Sequence, residues 1–354
     1  MLALLRPVLV LLATGGLLAV FLRQAEFSQV WAGIRLASGP MLMLSLVFTT
    51  LTYVLRAVRW QVLLSPIGRV AFGPAFRTTV MGFSANFLLP ARAGEVLRPY
   101  LLARQQRLDV TATFATIVVE RLLDLMTVLA LFFLFTLSYV PDPRVDLKVF
   151  RAVELGVGLA TLGAAAALAM GLFVSGRPAV AQSMVERLGS VLPARAAAFV
   201  GDLLARFITG FAVLQDRRAF TLSLLLSLPL WLAIAGGIWS VTAAFHLPVP
   251  LLGSLLVMAI LVVGVSVPTP GAVGGFHEAY RFATTAFYAV PNNVAVGAAL
   301  VLHAVSFVPV TVLGLVFMAR EGFTLTRLRE VADEGRHQHD ASPAPASEPG
   351  FRAP

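Results

Sequence analysis

The segment TATFATIVVERLLDLMTVLALFFLF, residues 111–135, decides the fold class because it is long and almost entirely apolar. A helix of this length extends about 37 Å and therefore crosses the roughly 30 Å hydrocarbon core of a bilayer. Its charged residues, Glu120, Arg121 and Asp124, come about ten residues into the predicted span, near the bilayer midplane. Since each ionised side chain at that depth costs about 2.5–3.5 kcal/mol, we expect all three to face protein rather than lipid.

The composition of the whole chain also indicates a membrane protein. Hydrophobic residues make up 58% of the sequence and charged residues 13%, whereas soluble domains usually contain about 25% charged residues. The apolar stretches are about 20 residues long, as in membrane helices, and lack the alternation over about 10 residues that barrel strands show. The sequence therefore predicts an all-α, polytopic helical membrane protein. It contains no cysteine, which excludes disulfides and thiolate metal sites.

Seven stretches are long and apolar enough to be predicted as clean membrane spans. They lie near residues 3–22, 38–55, 112–140, 152–175, 219–245, 249–267 and 294–319. Two further stretches, residues 78–108 and 268–290, are interrupted by glycine and proline, and we expect a broken or re-entrant helix in each. The prediction is therefore about seven to eight spans with two broken or re-entrant segments.

The positions of the arginines predict the orientation of the chain. The arginine-rich connections at 56–77 and 177–218 are expected to be cytoplasmic, and the connections at 141–154 and 246–250 to be external. The predicted location is the cytoplasmic membrane, which the chain crosses several times, with membrane lipids as partners. Nucleic acid is excluded as a partner although the pI is about 11.0, because basic cytoplasmic loops beside anionic lipid explain the positive charge.

The chain is expected to form one transmembrane helical domain over residues 1–320. Within it, the connection 177–218 contains an amphipathic helix suited to the membrane interface or to packing on the protein itself. The tail 321–354 is predicted to be cytoplasmic and largely disordered, because its composition cannot form a packed core.

The segment NFLLPARAGEVLRPYLLARQQR, residues 86–107, contains the first predicted break. Pro90 disfavours a helical conformation at Leu89, and Gly94 permits backbone conformations closed to other residues. Backbone groups freed by such a break cannot face lipid, so they must be buried in protein or line a wet cavity. The break therefore predicts a site.

A second interruption, SVPTPGAVGGFHEAYRFA, residues 266–283, also breaks an apolar run and then presents charge. Its predicted structural breaks are Pro268, Pro270, Gly271 and Gly274. Matched interruptions in the two halves are typical of internal-repeat transporters, which predicts half-repeats near 38–175 and 219–319. The alternative is that both interruptions are ordinary buried turns.

The charged residues after the first break complement those of the segment 111–135. The formal charges of Arg92, Glu95 and Arg98 sum to +1, and those of Glu120, Arg121 and Asp124 sum to −1. Docking the two segments therefore predicts a locally neutral cluster. Planar guanidinium donors suit phosphate oxygens, which favours an anionic headgroup as ligand; the alternative is a purely structural ion network. The predicted substrate-binding residues are Asn86, Arg92, Glu95, Arg98, Glu120, Arg121, Asp124 and Glu278.

Two histidines are candidates for a proton relay. His277 precedes Glu278, and His303 lies inside the last predicted span. The alternative for His303 is an interhelical hydrogen bond. The sequence has no spacing typical of metal ligands and no Gly-rich nucleotide-binding loop, so no metal and no cofactor are predicted.

Four motifs together resemble the lysylphosphatidylglycerol synthase transmembrane-region family of bacterial and archaeal membrane proteins. They are LRAVRWQVLL at 55–64, NFLLPARAGEVLRPYLLARQQ at 86–106, VVERLLDL at 118–125 and PTPGAVGG at 268–275. The resemblance extends to about residue 320 and points by position to Arg56, Arg59, Trp60, Asn86, Pro90, Arg92, Gly94, Glu95, Arg98, Glu120, Arg121, Asp124, Pro270, Gly271, Gly274 and Glu278. One departure is Ala272, where the family often has a second glycine.

The resemblance implies a function in lipid movement. The membrane part of the two-part synthases is associated with moving aminoacylated lipid between leaflets, and the aminoacyl-transferase domain is a separate soluble part. The expectation is therefore a flippase-like carrier of an anionic or aminoacylated phospholipid or a related lipid phosphate, and not an enzyme that makes lysyl-lipid by itself. Two alternatives stay open: an intramembrane enzyme acting on a lipid or polyprenyl phosphate, and a non-catalytic membrane partner of a glycosyltransferase or lipid synthase.

Overall fold

The computed structural model describes residues 25–89, 92–138, 216–266 and 269–322, with isolated residues between 16 and 21 and between 151 and 166. Within these ranges every regular element is helical, which confirms the all-α prediction. The predicted spans near 3–22 and 152–175, the connection 177–218 and nearly all of the tail lie outside the described residues.

Nine helices are bounded within the described ranges. They are α1 (Phe27–Leu36), α2 (Gly39–Leu64), α3 (Phe72–Leu88), α4 (Gly94–Gln106), α5 (Val110–Ser138), α6 (Arg217–Ala244), α7 (Gly253–Ser266), α8 (Gly275–Tyr288) and α9 (Asn292–Arg320). A short 3₁₀ turn, Pro270–Ala272, lies between α7 and α8.

Three of the described helices, α2, α6 and α9, are long and apolar enough to cross a membrane. They contain 26, 28 and 29 residues, which corresponds to about 39–44 Å of helix. Helix α5 has 29 residues and matches the predicted span 112–140. Helix α7 has 14 residues in the described part of the chain, about 21 Å, which is shorter than the hydrocarbon core, and the clean span at 249–267 stays a prediction.

Helix α1 lies between two predicted spans and was not predicted. Its Val30 is buried, whereas Phe27 and Trp31 are exposed. Gln29 accepts a hydrogen bond from Asn293 at the start of α9 over 2.8 Å. Among the described residues, the helix is therefore packed along one face.

Helices α3 and α4 form a hairpin, which we call the first hairpin, and glycines bring its two arms together. A Cβ atom added to Gly94 would lie 1.8 Å from the carbonyl oxygen of Gly82 and 2.7 Å from Oδ1 of Asn86. Of the described residues in the connection between α3 and α4, it is Arg92 that has a positive φ, at 53°. Gly94 is therefore required for close helix packing and not, as the sequence suggested, for an unusual backbone conformation. Pro90 lies outside the described residues.

Helices α7 and α8 form the second hairpin in a similar way. A Cβ atom on Gly264 would lie 2.5 Å from the carbonyl oxygen of Gly275. In the connection, Gly271 and Gly274 have φ values of 63° and 89°, which side chains strongly disfavour. Both glycines predicted as breaks thus lie in the connection between α7 and α8, and a re-entrant course of this segment stays a prediction. Pro270 opens the 3₁₀ turn, and Pro268 lies outside the described residues.

The two hairpins open toward opposite ends of the helix bundle. At the end where α9 finishes, Glu321 accepts a hydrogen bond of 2.6 Å from Gln105, which is the penultimate residue of the first hairpin. The second hairpin ends at Tyr288, next to the start of α9. The tips meet between these ends, where Arg92 Nη2 donates to the carbonyl oxygen of Val265 over 3.0 Å.

Candidate functional site

Glu120 of α5 is the centre of a buried cluster of charged side chains. One carboxylate oxygen, Oε1, faces four guanidinium groups. The nitrogen–oxygen distances are 2.7 Å to Arg121, 3.0 Å to Arg98, 3.6 Å to Arg59 and 3.9 Å to Arg56. Arg98 belongs to the first hairpin, so this hairpin docks against α5 as the sequence predicts.

Asp124 lies one helical turn after Glu120 and binds three of the same cations. Its carboxylate oxygens lie 2.7 Å from Arg59, 3.5 Å from Arg121 and 3.6 Å from Arg56. Trp231 of α6 donates its indole N–H to Oδ1 over 2.9 Å. The one-turn spacing predicted from the sequence therefore places both carboxylates against the same guanidinium groups.

Neighbouring helices fix the two most enclosed arginines. Arg59 Nη1 donates to the hydroxyl of Ser227 over 2.8 Å. The guanidinium carbon of Arg98 lies 3.9 Å from the ring centre of Trp60, a cation–π contact. Trp60 in turn donates to Thr116 over 3.0 Å. Since Arg59 and Arg98 are almost completely buried, they are suited to hold the cluster together rather than to meet a ligand.

Two arginines of this cluster come from a segment that the sequence placed elsewhere. Arg56 and Arg59 belong to α2, which continues to Leu64, and both are buried. The predicted span 38–55 therefore ends too early, and the connection predicted at 56–77 starts too early as well, since α2 continues to Leu64. Arginines paired with buried carboxylates need not leave the membrane, and their i, i+3 spacing could have indicated one shared helix face.

The cluster is not neutral. Together with Arg92 and Glu95 at the tip of the first hairpin, it contains five guanidinium groups and three carboxylates. The expectation of a locally neutral cluster is therefore wrong, because α2 contributes two cations. Among the described side chains of the cluster, the formal excess is two positive charges.

The accessible side of the cluster is formed by Arg92, Glu95 and Arg121. Their side chains are 41%, 32% and 38% exposed, whereas the others are almost fully buried. Arg92 lies 3.5 Å from Glu95, and Asn86 accepts a hydrogen bond of 3.1 Å from the backbone N–H of Glu95. Asn86 thus fixes the start of α4 next to the cluster.

A partly open cavity of about 380 Å³ lies beside these residues. Its polar rim includes Thr52, Tyr53, Arg56, Asn86, Arg92, Glu95, Arg121 and Asp124. Its apolar wall is formed by α6, α7, α8 and α9, with Ile234, Ile238, Leu261, Val262, Val265, Phe276, Leu302 and Phe307 among the lining residues. The cavity can therefore accommodate a molecule with a charged head and an apolar chain.

Two nitrogen atoms of the rim arginines have no hydrogen-bond partner in the described part of the chain. Arg56 Nη1 and Arg121 Nε are buried and form no hydrogen bond with any described residue. Leaving a buried donor unsatisfied costs about 1–3 kcal/mol, and more for a charged group. Both arginines line the cavity, so an oxyanion placed there would lie beside their guanidinium groups.

Glu278 lies apart from the cluster. Both of its carboxylate oxygens accept hydrogen bonds from Arg281 of the same helix, and Arg281 also donates to Asn292 over 3.0 Å. Glu278 is not among the residues that line the cavity. The structure therefore brings together the predicted binding residues of the first hairpin and of α5, but not this one.

The two histidines lie at the tip of the second hairpin. His303 Nε2 is 2.8 Å from the carbonyl oxygen of Gly271, and His277 Nδ1 accepts a hydrogen bond of 3.3 Å from the N–H of Gly274. Their ring centres are 4.5 Å apart. Both histidines thus stabilise the interrupted backbone, while Glu278 is bound to Arg281 and not to them. Their role as a proton relay stays a prediction.

Comparison with known proteins gives two matches. The chain is 26% identical over 351 residues to the glycosyltransferase AglD of Haloferax volcanii. The match covers 92% of this chain and 56% of that protein, so the chain spans little more than half the length of this relative. The model of the family described as the lysylphosphatidylglycerol synthase TM region matches residues 5–314, and the chain therefore belongs to that family.

Proposed function

We propose that this chain is a flippase-like lipid carrier of the cytoplasmic membrane, which moves an anionic or aminoacylated phospholipid or a related lipid phosphate between leaflets. The observation that supports it is the cavity beside the charged cluster. Its rim carries three guanidinium groups, and most of its other lining residues are apolar. A lipid has the matching arrangement, with a charged headgroup followed by apolar chains.

The headgroup is proposed to bind at the exposed side of the cluster. Arg56, Arg92 and Arg121 line the cavity and offer N–H donors to phosphate oxygens. Glu120 and Asp124 orient these arginines through the contacts described above. Arg98, one of the predicted binding residues, is enclosed between Trp60 and Glu120 and is assigned to positioning.

The two hairpins suggest how access to the cavity changes. They open toward opposite ends of the bundle, and their tips meet at the cavity through the bond from Arg92 to Val265. Many transporters bind substrate between repeats at membrane depth and rock one repeat against the other. We propose that separation of the tips exposes the headgroup site to alternate sides, and that the contact between Arg92 and Val265 breaks during this step.

A leaflet-resolved transport assay tests the proposal. The full chain is reconstituted in phosphatidylcholine vesicles containing a trace of fluorescent phosphatidic acid, and a membrane-impermeant quencher reports the outer leaflet. The parent protein is expected to accelerate exchange over protein-free vesicles. Arg121→Gln should slow it about tenfold, because one charged hydrogen bond to phosphate is lost.

The matched control is Arg104→Gln. Arg104 belongs to the first hairpin and is exposed, but it does not line the cavity. This variant should transport like the parent. Unchanged transport in both Arg121→Gln and Arg56→Gln, with normal folding, would remove the cluster from the mechanism.

A second function is suggested by the similarity to a protein named as a glycosyltransferase. The chain would then be a non-catalytic membrane partner that presents a lipid phosphate to such an enzyme. Co-purification of a stoichiometric glycosyltransferase whose activity is lost without this chain would favour this alternative. An intramembrane acid–base enzyme is disfavoured, because the carboxylates of Glu120 and Asp124 are already bound by arginines.

A further inference from the structure

The charge of the cluster distinguishes between the lipid classes that the proposed function allows. Five guanidinium groups face three carboxylates around the same cavity. In an environment of low dielectric constant, two uncompensated positive charges are costly unless the ligand supplies negative charge. A ligand with a charge near −2 compensates the described cluster best.

Three guanidinium groups border the cavity, which favours a headgroup with several anionic oxygens. Arg56, Arg92 and Arg121 line it, and the side chains of Arg92 and Arg121 are partly exposed. A terminal phosphate monoester offers three oxygens and a charge of up to about −2 near neutral pH. A phosphodiester such as phosphatidylglycerol offers two free oxygens and a single charge.

Each carboxylate of the described cluster already has a guanidinium group within 4 Å. Glu120 is completely buried, and its Oε1 faces arginines. Asp124 lines the cavity, but its two oxygens lie near Arg59 and Arg56, respectively. Glu95 is the accessible carboxylate of the described cluster, and it is already paired with Arg92. An aminoacylated headgroup would therefore add positive charge to a site with a positive excess.

We propose that the site takes lipids that end in a phosphate monoester or a diphosphate and discriminates against aminoacylated, net-cationic headgroups. This inference rests on the proposed function, since it names the substrate class of the same cavity. It narrows the predicted substrates by removing the aminoacylated phospholipids. The two described features that carry it are the charge excess and the three guanidinium groups that border one cavity.

Ligand binding to the purified full chain in phosphatidylcholine nanodiscs tests this inference. The indole of Trp231 lines the cavity and donates to Asp124, so tryptophan fluorescence reports occupancy, with Trp231→Phe as the signal control. The probes are farnesyl phosphate, farnesyl diphosphate, phosphatidylglycerol and lysyl-phosphatidylglycerol. Inorganic phosphate and inorganic pyrophosphate separate a lipid site from a free-phosphate site.

Farnesyl phosphate and farnesyl diphosphate are expected to bind at least about tenfold more tightly than phosphatidylglycerol, because one more charged hydrogen bond is made. Lysyl-phosphatidylglycerol should be the weakest of the lipids. Inorganic phosphate should bind more weakly than farnesyl phosphate, because it leaves the apolar wall unfilled. Arg121→Gln should reduce the preference for the monoester, and Arg121→Lys, which keeps the charge, should retain part of it.

Three results would overturn the inference. They are tighter binding of lysyl-phosphatidylglycerol than of farnesyl phosphate, equal affinity for free and lipid-linked phosphate, and an Arg121→Gln protein with the parent's order of affinities. The outcome of the transport assay does not depend on these binding results. A chain that binds monoesters in the expected order but does not exchange them between leaflets contradicts the proposed function and leaves the specificity intact.

Discussion

The two hairpins have a similar backbone arrangement but different chemistry at their tips. In each, a glycine of the first arm meets a glycine that begins the second arm: Gly82 meets Gly94, and Gly264 meets Gly275. The first tip carries Arg92 at positive φ and leads into the charged cluster, whereas the second tip is bound by two histidines and contributes to the wall of the cavity. Glycine packing therefore determines the shape of each hairpin, and the side chains at its tip determine what it contributes to the site.

The largest expected effect concerns the cluster that holds the first hairpin. Glu120→Gln removes the carboxylate charge that faces four guanidinium groups, and breaking a buried ion pair in this way costs about 3–5 kcal/mol. Thermal unfolding in detergent should show a strongly destabilised protein. Glu95→Gln is the control, because Glu95 is partly exposed and its loss should cost less than about 1 kcal/mol. Equal stability of the two variants would contradict a structural role for Glu120.

The next effect should be the same for both hairpins. Gly94→Ala and Gly264→Ala each place a Cβ atom within 2.5 Å of a backbone carbonyl oxygen on the opposite arm, and overpacking of this kind costs about 1–3 kcal/mol or more. Gly39→Ala has no neighbouring atom within 4 Å and should unfold like the parent. If only one of the two hairpin variants is destabilised, the packing is not equivalent and the similarity between the hairpins is superficial.

A smaller effect on stability, with a clear effect on transport, is expected at the contact between the tips. Arg92→Gln removes the donor to Val265 and one cation of the rim. Because Arg92 is partly exposed, the free energy of unfolding should fall by less than about 1 kcal/mol, whereas leaflet exchange should fall about tenfold. An Arg92→Gln protein that exchanges lipid at the parent's rate would show that the first tip does not take part in transport.

The smallest effect is expected at the second tip. His303→Leu removes the hydrogen bond to Gly271 and should cost about 1 kcal/mol of stability. Lipid exchange between leaflets should decrease moderately, since the headgroup contacts are unchanged and only the wall of the cavity is disturbed. Hydrogen exchange of the amides near Gly274 reports the expected loosening. An unchanged hydrogen-exchange rate of these amides would contradict a role for His303 in holding the second tip.

The sequence predicted the cluster where charges interrupt apolar runs. Glu120 and Asp124 share a helix face by their spacing alone, and Arg98 follows a recognisable break. Both features are local, so they can be inferred from one segment at a time. Predicting the contact between the first hairpin and α5 required one further assumption, that buried opposite charges pair.

The missed part of the site depends on packing between distant segments. Arg56 and Arg59 looked like residues of a cytoplasmic connection, because their partners on α5 lie more than 60 positions away and the apolar run weakens before them. Trp231 and Ser227 gave no signal at all in an otherwise apolar span. Glu278 suggested a binding residue, but Arg281 one turn later binds it locally.

An experimental structure of the full chain in nanodiscs with farnesyl phosphate would show directly whether the cavity binds a lipid phosphate. We expect phosphate density within hydrogen-bond distance of Arg56 and Arg121, with the isoprenoid chain along Leu261 and Phe307. Phosphate density bound elsewhere on the protein, with the cluster closed off from the cavity, would contradict it.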